Sequence, residues 1–296
     1  MRILAGALLL ALAAAGQQPR AKVRSHITLM DAAGKDKAVI YETPRLFEAP
    51  NWSPDGRYLL LNSEGRLWKL PAGGGEPEIV PTGDVDRINN DHGISVDGKW
   101  FALSAGHIYL VPSSGGTPRQ VTTETPSYYH GWSPDMTTLV YCARRSDNFD
   151  IYAISREGGN ERRLTVHPAY DDGPDYTPDG QWIYFNSDRS GSWDIWRMPA
   201  AGAGADDAKA EHVTSDEWED WFPHPSPDGR WLVFVSFEKG TKGHPANQRV
   251  VLRRMPLMGG RIETLTRLFG GQGTINVNSW SPDSKRFAFV SYSLIE

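Results

Sequence analysis

Tyr176-Thr177-Pro178-Asp179-Gly180-Gln181-Trp182-Ile183-Tyr184-Phe185-Asn186-Ser187 is the stretch that decides the fold. Its first half reads as a tight turn. Pro178 pre-sets φ at a turn corner, Asp179 accepts local backbone hydrogen bonds, and Gly180 takes the left-handed position that a bulged hairpin needs. Its second half is a short alternating apolar strand. The same turn returns as Ser53-Pro54-Asp55-Gly56, Ser95-Val96-Asp97-Gly98, Ser133-Pro134-Asp135-Met136, Ser226-Pro227-Asp228-Gly229 and Ser281-Pro282-Asp283-Ser284. Copies recurring at about 40 residues describe a repeat architecture rather than separate hairpins.

Aligned on the residue before each turn, the units read Trp52, Ile94, Trp132, Tyr176, Pro225 and Trp280. An inner strand runs into the turn, a second strand leaves it, a hairpin leads to a third such as Asp194-Ile195-Trp196-Arg197, and a Gly-rich turn such as Gly158-Gly159 precedes a fourth. The predicted fold is therefore all-β, a six-bladed β-propeller of four-stranded antiparallel blades. After Trp280 there is room for only two strands, the last over 286–292. Segments 26–30 and 37–41 belong to no other blade, so the N-terminal strands are expected to complete the last one. Closure of that kind removes exposed sheet edges.

The first residues read as a signal peptide over 1–16: Arg2 is a basic start, 3–12 an apolar core, and Ala13-Ala14-Ala15 before Gly16 a small-residue cleavage site. That core is too short for a membrane span. The expectation is one propeller domain over 17–296, periplasmic or secreted, and monomeric. Cys142 is the single cysteine, so no internal disulfide can form, and its apolar strand marks it as a small core residue. A net charge of −5 without a Lys/Arg stripe argues against nucleic acid. The eleven Trp fall largely at equivalent repeat positions, as blade core would.

The aromatic-Ser-Pro-Asp-Gly turns, the strands that follow them, and the third strands carrying Asp150-Ile151-Tyr152 and Asp194-Ile195-Trp196 resemble the repeats of TolB-like propellers over nearly the whole mature chain. The α/β domain that precedes the propeller in TolB itself has no counterpart in the short segment ahead of the first repeat. The resemblance implies the fold and leaves function open, since such propellers serve as receptors, scaffolds and enzymes. Similar propellers precede prolyl-oligopeptidase-type hydrolases, but no Gly-x-Ser-x-Gly elbow follows here. Oligogalacturonate lyases are also similar and hold a divalent metal through His and Gln. By that resemblance His224 and Gln272 are the counterparts.

Strand order puts the six turns on one face, expected to be structural, and the inter-blade links and remaining hairpins on the other. The second face collects segments that break the repeat, including Asn89-Asn90-Asp91-His92, Tyr128-Tyr129-His130, the run from Tyr170 to Asp175, the run from Trp218 to His224, and the run from Gln272 to Asn278. Residues just before each aligned position should converge on the channel, and His244 on the longest hairpin could fold over its mouth.

Three readings stay open. The polar groups could bond one another and ordered water around an unpackable hole. They could form a site for a small carbohydrate, a peptide or an envelope protein, with Tyr128, Trp218 and Trp221 as stacking platforms and His92, His130, Asp172, Asp175, His224, His244, Gln272, Asn276 and Asn278 as polar partners. Or His92, His130 and His224 could hold one divalent metal, with Asp172 or Asp175 as ligand or proton acceptor, in a carbohydrate-active lyase or hydrolase. The second reading is the expectation, with the enzyme and a non-catalytic scaffold as alternatives. Asp171-Asp172 is expected to cap a turn, and Arg144-Arg145 and Asp188-Arg189 to form a solvated rim.

Overall fold

The computed structural model describes residues 22–295, so the expected signal peptide over 1–16 lies outside the described residues. Six antiparallel sheets surround a channel. The first four-stranded blade is Glu48–Trp52, Tyr58–Ser63, Arg66–Pro71 and Glu78–Ile79, and the second is His92–Ile94, Trp100–Ala105, His107–Pro112 and Arg119–Gln120. The third is Ser127–Trp132, Thr138–Arg145, Asn148–Ser155 and Arg162–Arg163. The fourth is Asp171–Tyr176, Trp182–Ser187, Asp194–Pro199 and Glu211–His212. The fifth, with the longest outer strands, is Trp218–Pro225, Trp231–Glu238, Ala246–Pro256 and Glu263–Gly271.

The sixth blade closes the ring as expected. Arg286–Leu294 pairs along its length with Val23–Asp31, which pairs in turn with Lys37–Thr43. The inner position is reduced to a single bridge between Trp280 and Phe287. Cores form between blades: Val140, Ile151 and Leu164 of the third meet Ile183, Phe185 and Met198 of the fourth. Among the described residues no helix is long and apolar enough to cross a membrane.

The turns share one geometry. In each, the Ser or Thr hydroxyl donates to the Asp carboxylate at 2.5–2.7 Å. The backbone N–H two residues past that Asp donates to it at 3.0–3.1 Å. The fourth turn residue has a φ between 59° and 74° in all six, including Met136 and Ser284, which adopt it without being glycine.

Four inner strands contain an irregularity that the alignment does not reveal. Their register slips between Glu48 and Asn51, Tyr129 and Gly131, Asp172 and Asp175, and Trp221 and His224. Such bulges bend a strand and re-aim its side chains. Ala49, Gly173 and Phe222 sit in these bulges at φ 54°, 60° and 55°. For a bulky Phe that conformation is strained and is held by its surroundings.

Candidate functional site

The channel has two unlike ends. Toward the turn face lies a cavity of about 360 Å³. Its rim is made by the second residue of every turn, Pro54, Val96, Pro134, Pro178, Pro227 and Pro282. Beneath them stand Trp52, Ile94, Trp132, Tyr176 and Trp280, and the floor includes Asn51, His92, His130, Asp175 and Asn278. The face expected to be purely structural therefore carries the wide mouth. The repeat that fixes six identical corners also arranges six small apolar residues in a ring.

The floor is part network and part open. Asn278 donates to Asp175 at 2.9 Å, and His224 donates through Nδ1 to the same carboxylate oxygen at 3.1 Å. The other ring nitrogen of His224 lies 2.9 Å from the Ile275 carbonyl. Asn51 donates to the Asn278 carbonyl at 2.5 Å. His92 differs: it is fully buried, neither ring nitrogen has a partner, and burial pushes it down to about 3, so it stays a neutral imidazole.

Toward the opposite face a smaller pocket of about 190 Å³ holds a charged cluster. His130 Nε2 lies 3.2 Å from Asp172 and 4.0 Å from Asp91. His244, reaching in from the connection between the second and third strands of the fifth blade, lies 3.7 Å from Asp172. Asp91 accepts from Asn89 and Asn276, each at 2.5 Å. Burial pushes Asp91 up to about 6. Burial also acts on Asp172 and His130, but their mutual hydrogen bond and attraction outweigh it, holding the carboxyl low and the imidazole high. For His244 burial prevails and lowers it. Aromatic rings surround the cluster: Phe149 stacks on Tyr170 at 4.5 Å, and strained Phe222 stacks on His130 at 6.0 Å.

The anticipated residues thus divide. His92, Asp175 and Asn278 belong to the wide end, while Asp172, His244 and Gln272 belong to the narrow pocket, and His130 lines both. Asn276 is buried against Asp91. His224 is committed at both ring nitrogens, and among the described residues no group of three or more His, Cys, Asp or Glu is arranged to hold a metal ion. The set of His92, His130 and His224 is not brought together as a ligand triad.

Trp221, expected as a stacking platform, is fully buried with its ring 3.9 Å from that of Trp193. Trp218 lies under Arg253 and Arg267 at 5.7 and 5.5 Å rather than over the channel. Tyr128 does line the narrow pocket. Asp171 and Asp172 cap no turn: they lie on a strand, Asp171 bonded to Arg189 and Asp172 facing His130. Asp91 and Phe222 lie in segments marked as breaking the repeat but are not among the site residues named from the sequence, and Phe149 is not marked at all. Asp91 adjoins His92 in a segment already marked as irregular, but Phe149 sits on a hairpin strand with no departure from the repeat.

Comparisons with known proteins agree with this architecture. The signature of the TolB beta propeller domain matches residues 124–272. An uncharacterized protein of Agrobacterium fabrum is 49% identical over 94% of this chain and 96% of its own length. A solved structure from Agrobacterium tumefaciens that carries the TolB name superposes with a TM-score of 0.88 at 48% identity, covering 92% of this chain and 99% of that one. The Tol-Pal system protein TolB of Francisella tularensis is 26% identical over 86% of this chain, which spans 59% of that protein's length. With the family signature across half the chain and a relative near one-half identity along its whole length, the chain belongs to the TolB β-propeller domain family.

Proposed function

We propose that the chain is a non-catalytic binding propeller, exported to the periplasm, that takes a short segment of a protein partner into the wide mouth of its channel. The observation that carries this reading is the cavity of about 360 Å³ whose apolar rim and aromatic wall stand over a floor in which His92 is buried with both nitrogens unpartnered. Apolar walls with a few convergent polar groups are what a docked segment needs: the walls supply burial and the floor supplies orientation. The relatives named Tol-Pal system proteins make a component of that system the first partner to test. Metal-assisted elimination is less well supported, because His224 has no nitrogen to spare.

Two exposed valines on opposite faces give the test. Val96 stands on the turn-face rim and Val166 on a link between blades. Titration calorimetry against the purified Pal component should show binding weakened at least about tenfold by Val96→Arg, which places a bulky charge at the mouth, and unchanged by Val166→Arg. Equal binding by wild type and Val96→Arg, or loss with Val166→Arg alone, sinks the assignment of this mouth.

A further inference from the structure

At the other end of the channel, we infer a second site: the narrow pocket binds an organic ammonium group, seated against the Asp91 and Asp172 carboxylates that line it and walled by aromatic rings. It is separate from the mouth proposed above and does not depend on it. The pocket volume of about 190 Å³ matches the space of about six waters, enough for an ammonium head and its first methylenes.

Charge points to a cation. With Asp91 and Asp172 ionised, His130 protonated and His244 neutral, the four groups that meet in the pocket sum to one negative charge. With His130 neutral the sum is two. Tyr128 and Tyr170, the other titratable side chains lining it, are pushed further above neutrality by burial and add no positive charge.

The walls decide which cation. Tyr128, Phe149, Tyr170 and Phe222 present ring faces or edges to the space. Aromatic faces attract ammonium groups and accept methylenes, whereas they offer a metal ion no ligand. The carboxylates are already committed to protein donors, Asp91 to Asn89 and Asn276 and Asp172 to the Gly173 N–H and His130. They are thereby fixed in place as a charge without being arranged as a chelate.

One polar atom adds an independent pointer. His130, whose ring lines the pocket, has its Nδ1 buried without a partner. With His130 neutral, the state in which the pocket carries two negative charges, an ammonium N–H can donate to that nitrogen. The positive φ of Phe222 fits the same purpose, because it brings that ring over His130 and against His244, at 5.0 Å, closing the pocket on one side.

Titration calorimetry and thermal melting with n-butylammonium chloride at fixed ionic strength test the site, with n-butanol and sodium butanoate as controls. A ligand this small should bind with a Kd of about millimolar and raise the melting midpoint saturably. Asp172→Asn should weaken binding at least about tenfold. Phe149→Leu, a half-buried position that tolerates change, should weaken it severalfold. If Asp172→Asn does not fold, Phe149→Leu and the alcohol control carry the test. Adding Nα-acetyl-lysine amide separates sources: binding of both amines assigns a lysine side chain of a partner, and binding of butylammonium alone assigns a small amine. No saturation up to about 50 mM, equal response to n-butanol, or binding undiminished in the variants overturns the inference.

Discussion

Arg189 places one guanidinium nitrogen 2.8 Å from both oxygens of Asp171 and 3.0 Å from Asp207, with all three side chains almost wholly buried. A buried charge network of this kind is costly to break, because removing one partner leaves the others desolvated and unpaired. Arg189→Met should therefore destabilise the protein by about 3–5 kcal/mol in urea denaturation. Arg144 pairs at the surface with Asp147 at 2.8 Å, half exposed. Arg144→Ala should fall within about 0.5 kcal/mol of wild type. Equal costs for the two would contradict the assignment of Arg189 as an internal strut. Both arginines stand in charged hairpins and were expected at a solvated rim. What separates them is a carboxylate from a neighbouring strand and another, Asp207, eighteen residues away. Arg145 is likewise drawn inward, to Glu161 at 2.7 Å and the Pro126 carbonyl at 2.9 Å. Pairings across such separations leave no mark in local spacing.

At the scale of the element, each turn centres on one carboxylate receiving a hydroxyl and at least one backbone N–H. The consequence is acid sensitivity. Asp55 is held down to about 2, first by the Ser53 hydroxyl, from the 3.8 of an unperturbed carboxyl, and Asp97, Asp135, Asp179, Asp228 and Asp283 are also lowered. A carboxyl whose folded pKa lies below its unfolded one stabilises the fold above the unfolded value. That stability is lost as pH falls through the folded value. A triple variant, Asp55→Asn with Asp135→Asn and Asp179→Asn, should melt below wild type at neutral pH. The gap should close as pH falls from about 4 toward about 2. A gap that stays constant over that interval would show that the charge of these carboxylates contributes nothing. The turns were legible because their chemistry is local and repeated six times. The inner strands were legible only in outline, since four of them slip register just before the aligned residue. A bulge carries no composition of its own when its positive-φ residue is Ala49 or Phe222. Hence the sequence located the channel and named most of its polar groups, but not which end each would face.

For the whole molecule, the ring is held shut by one seam joining the two ends of the chain: Val23–Asp31 against Arg286–Leu294, nine residue pairs in continuous register. That seam was readable by elimination, because the sixth blade lacked strands and the N-terminal segment lacked a blade. Its energetic meaning depends on whether the blades stand alone or together. Each core lies between two blades rather than within one, as where Phe47, Leu59 and Leu61 beside and within the first blade pack with Val290 and Tyr292 of the sixth. Opening the seam should then expose both flanking cores and loosen the ring as a unit. Ile27, fully buried at the centre of the seam, provides the probe, since Ile27→Asp buries an unpaired charge at a cost above about 4 kcal/mol. Val39, half exposed on the outer strand, is the control, and Val39→Asp should cost less than about 0.5 kcal/mol. Hydrogen exchange distinguishes the two pictures. Cooperative closure predicts that Ile27→Asp reduces protection at Val140 and Tyr152 in the third blade, across the ring, by as much as at Val290 beside the seam. If the loss stays confined to the sixth blade and its neighbours, the blades are energetically separate and the seam is only a local fastening.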